Sequence, residues 1–178
     1  MTDFEWKSGY FSKHPLKSIG VIAALLIRYL YTMLFIYGFL HKIAHGWMWT
    51  GIMAEHFTRR LLELQAAAAA PTSPETAIYA FQAAYLQHFS IPMAMPIAWI
   101  VTLGELIIGA CLLVGFATRL NAAFGLFMLL NFAAGGYYNL TIPPLVLMSL
   151  MMILLPTGHW LGLDGKLNRK YPDAIWFK

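Results

Sequence analysis

Two charged side chains stand inside long apolar stretches of this sequence, and they are the residues best placed to do chemistry. Arg28 lies within IGVIAALLIRYLYTMLFIYGFL, and Glu105 lies within IAWIVTLGELIIGACLLVGF. A charge at mid-membrane depth is costly, so it indicates a functional site by default. Both residues are predicted to lie about 13–17 Å from the same end of their helices. Opposite signs at matching depth therefore predict an Arg28–Glu105 ion pair.

Two interpretations of this predicted pair remain open. The pair could fix the register of two helices, as buried polar residues do elsewhere. It could instead form a site in which Arg28 donates to an anion or a quinone carbonyl and Glu105 accepts a proton. A quinone needs no covalent cofactor motif, and Tyr29, Tyr31 and Phe35 could border it between the helices.

Histidines and a lysine follow the first apolar stretch in the sequence HKIAH, residues 41–45. His41 and His45 are four residues apart and share a helix face, with Lys42 beside them. Such a pair could bind a metal, ligate haem or exchange protons with a quinol. We predict no metal site, because no third ligand is obvious nearby and interfacial side chains explain the pattern. His41 and Lys42 remain candidate quinone or anion contacts.

The composition indicates an integral membrane protein. Hydrophobic residues make up 60% of the 178 residues and charged residues only 11%, with a mean hydropathy of +0.62. Soluble domains carry about a quarter charged residues. The net charge of +4 comes from basic residues at the ends of apolar segments, which argues against nucleic-acid binding. A single cysteine, Cys111, rules out an internal disulfide, and the sequence contains no covalent cofactor motif.

Four apolar stretches are predicted to cross a bilayer as helices, a task that takes about 20 residues. They cover residues 19–40, 97–116, 120–136 and 140–156. Short links after the second and third spans predict antiparallel neighbours. The sequence thus predicts an all-α, four-helix transmembrane bundle in one domain, 1–178. Eight Lys and Arg residues on the side of the termini against three on the other predict that both termini are cytoplasmic.

A long segment, residues 45–90, separates the first two spans. Its helical periodicity, interrupted by PTSP at 71–74, predicts two short helices on or near the outer surface. Because the other loops are minimal, we expect a partner or substrate to bind here.

Two more polar residues have predicted roles. Asn131, inside the third span, is expected to hydrogen-bond across helices. Arg119, in the tight link after the second span, is expected to anchor the chain at the headgroups.

In its combination of motifs the chain resembles the DoxX family of small four-helix bacterial and archaeal membrane proteins. The resemblance rests on LIRYLY and GFLHKIAHG in the first span, GELIIGACLLVGFATRLNA from the second, and GHWLGLDGKL after the last. It implies a multi-pass protein of the bacterial or archaeal cytoplasmic membrane that takes part in redox chemistry, as subunits of thiosulfate:quinone oxidoreductase do. By this resemblance Arg28, Glu105 and Arg119 are the positions to suspect.

We therefore predict a membrane subunit of a respiratory-type, quinone-linked oxidoreductase complex. The chain is not expected to be active alone, and it could bind a quinone as cofactor. Its partners would be the lipid bilayer and other membrane or periplasmic redox subunits, the latter bound through 45–90. The alternative is a non-catalytic scaffolding subunit. A small anion or acid transporter is disfavoured, because few polar residues lie within the spans.

Overall fold

The computed structural model describes residues 4–69 and 75–177. The secondary structure of these residues consists of helices, with no strands. The α-helices in chain order are α1 (Ser8–Lys13), α2 (Pro15–Ala44), α3 (Ile52–Ala69), α4 (Thr76–Tyr85), α5 (Ala94–Val114), α6 (Thr118–Ala134), α7 (Ile142–Leu154), α8 (Thr157–Trp160) and α9 (Asp164–Lys170). A π-helical turn, Leu86–Ser90, follows α4, and a 3-10 turn, Ile175–Phe177, comes last among the described residues. The all-α prediction is confirmed for these residues. The predicted break at 71–74 lies outside them.

Among the described residues, two helices are long and apolar enough to cross a membrane. These are α2, with 30 residues and a mean hydropathy of 2.1, and α5, with 21 residues and a mean hydropathy of 2.3. The third and fourth predicted spans correspond to α6 and α7, which have 17 and 13 residues. Helix α2 is longer at both ends than predicted. Pro15 suits its first turn, and Gly46 follows its end with a φ of +70°, a conformation that favours glycine.

Helices α2 and α5 run antiparallel in close contact, because glycines lie where the two backbones approach. A methyl group added to Gly109 would lie 2.7 Å from Cγ1 of Ile36. A methyl group added to Gly38 would lie 2.9 Å from Oε1 of Glu105. Small residues permit this approach between helices that gain little from hydrophobic burial in lipid. Helices α6 and α7 complete the bundle, whose core includes fully buried side chains of all four helices: Tyr31, Ile108, Leu112, Ala122 and Met152.

The described parts of the two termini meet at one end of the bundle, which we call the terminal end. The indole N–H of Trp6 donates to the carbonyl oxygen of Trp160 at 2.7 Å. The ring of Phe177 lies 5.7 Å from that of Phe116, which follows α5. The opposite end carries α3, α4 and the link from α6 to α7, and we call it the insertion end.

Asp164 joins the segments of the terminal end. Its carboxylate accepts hydrogen bonds from the backbone N–H groups of Ala117 and Thr118, at 2.6 and 3.0 Å, and from the Thr118 hydroxyl at 2.7 Å. It thereby caps the first turn of α6. Backbone packing is equally close, since a methyl group on Gly115 would lie 2.7 Å from Cα of Gly162. The links that follow α5 and α7 are therefore one packed unit.

The insertion packs into the bundle at the insertion end. Met53, Phe57 and Leu64 of α3 are buried in a second apolar cluster with residues that lead into α5. The hydroxyl of Tyr85 in α4 donates to Oδ1 of Asn131 in α6 at 2.7 Å. The predicted cross-helix hydrogen bond of Asn131 is thus confirmed. Two helices are present as predicted, but α3, with 18 residues, is not short.

Candidate functional site: an apolar cavity beside a buried ion pair

Glu105 forms an ion pair with Lys42, in the last turn of α2. The lysine Nζ donates to both carboxylate oxygens, at 2.7 and 2.8 Å. The side chains are only 11% and 9% exposed. The ammonium also lies 5.2 Å from the ring centre of Trp47, within the range of a cation–π interaction. This pair is a charged group largely shielded from solvent.

The prediction of an Arg28–Glu105 pair is wrong. Arg28 is fully buried, and its guanidinium donates to the backbone carbonyl oxygens of Thr157 and Leu161, each at 2.6 Å. A third hydrogen bond, of 2.9 Å, goes to the hydroxyl of Tyr29. Arg28 therefore holds α8 against α2 at the terminal end.

The error has a geometric cause. Arg28 is level with the end of α5, because a methyl group on Gly115 would lie 3.3 Å from its Nη1. Helix α2 extends beyond that level by residues 15–27, about 20 Å at 1.5 Å per residue. Glu105 instead faces Gly38, which is ten positions and about 15 Å from Arg28 along α2. Equal distance from the helix ends did not mean equal depth, because the ends are not level.

A cavity of about 410 Å³ lies beside the ion pair and has Glu105 in its wall. Its lining is mostly apolar, with few polar groups, which is the usual character of a small-molecule site. Helices α2, α6 and α7 supply its apolar walls through Leu34, Phe35, Leu129, Phe132, Ile142 and Leu145.

The insertion contributes another wall of this cavity through α3. Met53, His56 and Phe57 line it, and Trp47 lines it from the segment before α3. The ring of His56 stacks on that of Trp47 with 5.6 Å between centres. Nδ1 of His56 lies 2.9 Å from Nη2 of Arg59, one turn further along α3. The long loop is therefore part of the cavity.

Tyr137, in the link between α6 and α7, lines the cavity, and its buried hydroxyl has no hydrogen-bond partner among the residues that the structure describes. A tyrosine hydroxyl is protonated at neutral pH and can donate, and burial raises the pKa of Tyr137 further, to about 12. An unsatisfied buried polar group costs about 1–3 kcal/mol, and such exceptions call for an explanation. Tyr137 also borders a second cavity of about 220 Å³, which shares the side chains of Phe57 and Phe132 with the first.

The predicted histidine pair lies in a polar cleft next to the first cavity, and the two share the side chains of Trp47 and His56. Nδ1 of His45 is 2.8 Å from the carbonyl oxygen of His41, and the two rings are 4.1 Å apart. Both line a cleft with Glu55 and His56. Within residues 4–69 and 75–177, no group of three or more His, Cys, Asp or Glu side chains is placed to hold a metal ion.

The other two candidate contacts, Tyr29 and Arg119, lie at the terminal end. The ring of Tyr29 is 4.7 Å from the guanidinium carbon of Arg28. Arg119 is half-buried in the first turn of α6, and its Nε has no hydrogen-bond partner in the described part of the chain. The four contacts predicted from sequence, Tyr29, His41, Lys42 and Arg119, therefore do not form one site. Lys42 alone of the four is bonded to a residue of the cavity wall.

Sequence patterns do not single out Trp47, His56 and Tyr137 as cavity residues. Trp47 and Tyr137 have the pattern of interfacial aromatic residues, and His56 beside Glu55 offers only a weak metal-ligand pattern. Their one collective signal is the unusual length of the 45–90 segment.

The comparisons with known proteins agree with the resemblance seen in the sequence. The DoxX family model matches residues 23–137, well over half of the chain. The matched region contains Lys42, Glu105 and Tyr137, together with the whole insertion. No curated protein and no solved structure matches significantly. The chain belongs to the DoxX family of membrane proteins.

Proposed function

We propose that this protein is a four-span membrane subunit of a quinone-linked oxidoreductase complex and that it binds a quinone in the cavity beside Lys42 and Glu105. The observation that carries the proposal is the charged, largely buried pair at the wall of an apolar cavity. The DoxX family is generally associated with quinone-linked oxidoreductase contexts. Buried charges are retained at a cost, and in membrane segments they mark functional sites.

The groups around the cavity fit a quinone, which joins an apolar ring and tail to two carbonyl oxygens. The apolar walls from α2, α6 and α7 suit the ring and tail, and the unpartnered hydroxyl of Tyr137 suits a carbonyl oxygen. When bound, a quinone supplies two-electron, two-proton redox chemistry. Glu105 would hold or release a proton at the cavity wall. Lys42, bonded to both carboxylate oxygens, stabilises the ionised form of that group.

The proposed topology places α2, α5, α6 and α7 across the cytoplasmic membrane of a bacterium or archaeon. Both termini would be cytoplasmic and the insertion external. Two observations support this arrangement: the described parts of the termini meet at one end, and eight of the Lys and Arg residues belong to that side against three on the other.

In this proposal Arg28 and Arg119 serve the fold rather than the reaction. Arg28 binds two backbone carbonyls of the segment after α7, and Arg119 lies beside the turn that Asp164 caps. Neither residue lines the cavity. Electron transfer would then depend on partner subunits, since the chain carries no covalent cofactor motif.

Two measurements test the proposal. Purification from native membranes in a gentle detergent, followed by mass spectrometry, should recover redox subunits in fixed ratio to this chain. The full chain in nanodiscs should also retain 2-methyl-1,4-naphthoquinone above the amount held by empty nanodiscs. The Glu63→Gln variant, which alters an exposed ion pair, should retain as much as the parent.

The two results separate the alternatives. Fixed-ratio copurification without quinone retention would support the scaffolding function and contradict the quinone site. Purification of the chain alone would contradict membership of a complex.

A further inference from the structure

His56 is held in one tautomer by its neighbour on α3. A guanidinium N–H can only donate, so the 2.9 Å hydrogen bond from Arg59 requires that Nδ1 of His56 accept it. The ring proton is therefore on Nε2, and no hydrogen bond of the described residues uses it. Stacking on Trp47 fixes the plane of the ring. His56 thus has a ring N–H donor of fixed orientation, and its side chain is among those that line the cavity.

Tyr137 supplies a second donor to the same cavity. Its hydroxyl is buried and has no partner within residues 4–69 and 75–177, and its ring lies 6.1 Å from that of Phe57, next to His56 in sequence. Asn139 and Thr141 line the cavity from the same link. Donors therefore belong to the insertion and the α6–α7 link, whereas the ion pair joins α2 to α5.

We infer that His56 and Tyr137 bind a carbonyl oxygen of the quinone, so that the insertion is part of the substrate site. This inference rests on the proposed function. It gives the buried hydroxyl of Tyr137 a hydrogen-bond partner, and it gives the side chains that α3 contributes to the cavity wall a role in binding. By this inference the two donors make the cavity bind a quinone more tightly than a hydrocarbon of the same shape.

The test compares two probes of nearly equal size, 2-methyl-1,4-naphthoquinone and 1,4-dimethylnaphthalene, which lacks the carbonyl groups. Binding to the full chain in nanodiscs is measured by equilibrium dialysis, with empty nanodiscs as the blank. Tyr137→Phe removes only the hydroxyl, and His56→Phe removes the donor but keeps a ring to stack on Trp47. The matched controls are Tyr138→Phe and His88→Phe, which alter exposed residues near the same elements.

Each cavity variant should weaken binding of the quinone about tenfold, as expected for one lost hydrogen bond, and leave binding of the hydrocarbon unchanged. The controls should bind both probes as the parent does. The infrared C=O stretch of the bound quinone should rise in each cavity variant, because hydrogen bonding lowers that frequency.

Unchanged quinone binding in both cavity variants would overturn the inference while leaving the proposed function intact. Equal weakening of both probes would also overturn it, because the variants would then act through packing. Absence of quinone binding by the parent would overturn the proposed function, and this inference with it.

Discussion

Replacing Lys42 with methionine should destabilise the protein more than neutralising its partner by Glu105→Gln. Lys42→Met leaves the carboxylate of Glu105 without a counter-charge. That side chain is 9% exposed and lies eleven residues into α5, about 17 Å from the start of the helix. Breaking a buried pair in this way costs about 3–5 kcal/mol. Glu105→Gln keeps an acceptor for Nζ. It also leaves Lys42 two residues from the end of α2, where the long side chain can extend toward the headgroups. We expect a loss of about 1–2 kcal/mol for this second change.

The chain offers a matched control in the Arg60–Glu63 pair of α3. Its N–O distance is 2.7 Å, the same as that between Lys42 and Glu105, but its side chains are 33% and 55% exposed. An exposed pair three residues apart on a helix contributes about 0–0.5 kcal/mol. Glu63→Gln should therefore leave the free energy of unfolding almost unchanged. Glu105→Gln and Glu63→Gln are the same substitution in pairs of equal N–O distance, so a larger loss for Glu105→Gln reports the effect of burial.

The assay is unfolding of the purified full chain in mixed micelles with increasing SDS, followed by circular dichroism at pH 7. The double variant Lys42→Met/Glu105→Gln completes a thermodynamic cycle. It should be more stable than Lys42→Met alone, because it leaves no buried charge without a counter-charge. A loss for Lys42→Met as small as that for Glu63→Gln would refute the reasoning. So would a double variant no more stable than Lys42→Met.

Three further predictions concern the packing that positions the site and the terminal end. Gly38→Ala should displace the Glu105 carboxylate, since the new methyl group would lie 2.9 Å from its Oε1, and the midpoint of unfolding should fall. Gly20→Ala, on the same helix with no atom within 4 Å, should raise stability by up to about 1 kcal/mol, and an equal fall in both would contradict the prediction. Arg28→Lys should cost about 3 kcal/mol, because one ammonium cannot replace the planar fork that binds two carbonyls, and limited proteolysis should then cleave the segment after α7 faster. Asp164→Asn should cost about 1–2 kcal/mol by weakening the cap of α6, with the exposed Asp173→Asn as a neutral control in the same unfolding assay.

The sequence by itself determined the helical class, the two long apolar helices and the family. These features depend on local runs of apolar residues and on motifs that each lie within one segment. The hydrogen bond of Asn131 was also predictable in kind, because an amide inside an apolar helix needs a partner. Its partner, Tyr85 of the insertion, was not.

Tertiary structure alone decided which charges meet. Arg28 and Lys42 both lie on α2, and either could satisfy Glu105 as far as the sequence goes. The choice depends on how far α2 extends past the end of α5, which sets the residues of one helix level with those of the other. The cavity has the same origin, since its walls come from five helices and two links far apart in the chain. Local sequence patterns specify where each helix lies in the chain and which of its residues are apolar. The offset between neighbouring helices results instead from packing over their whole length, and this offset decides which side chains meet at the site.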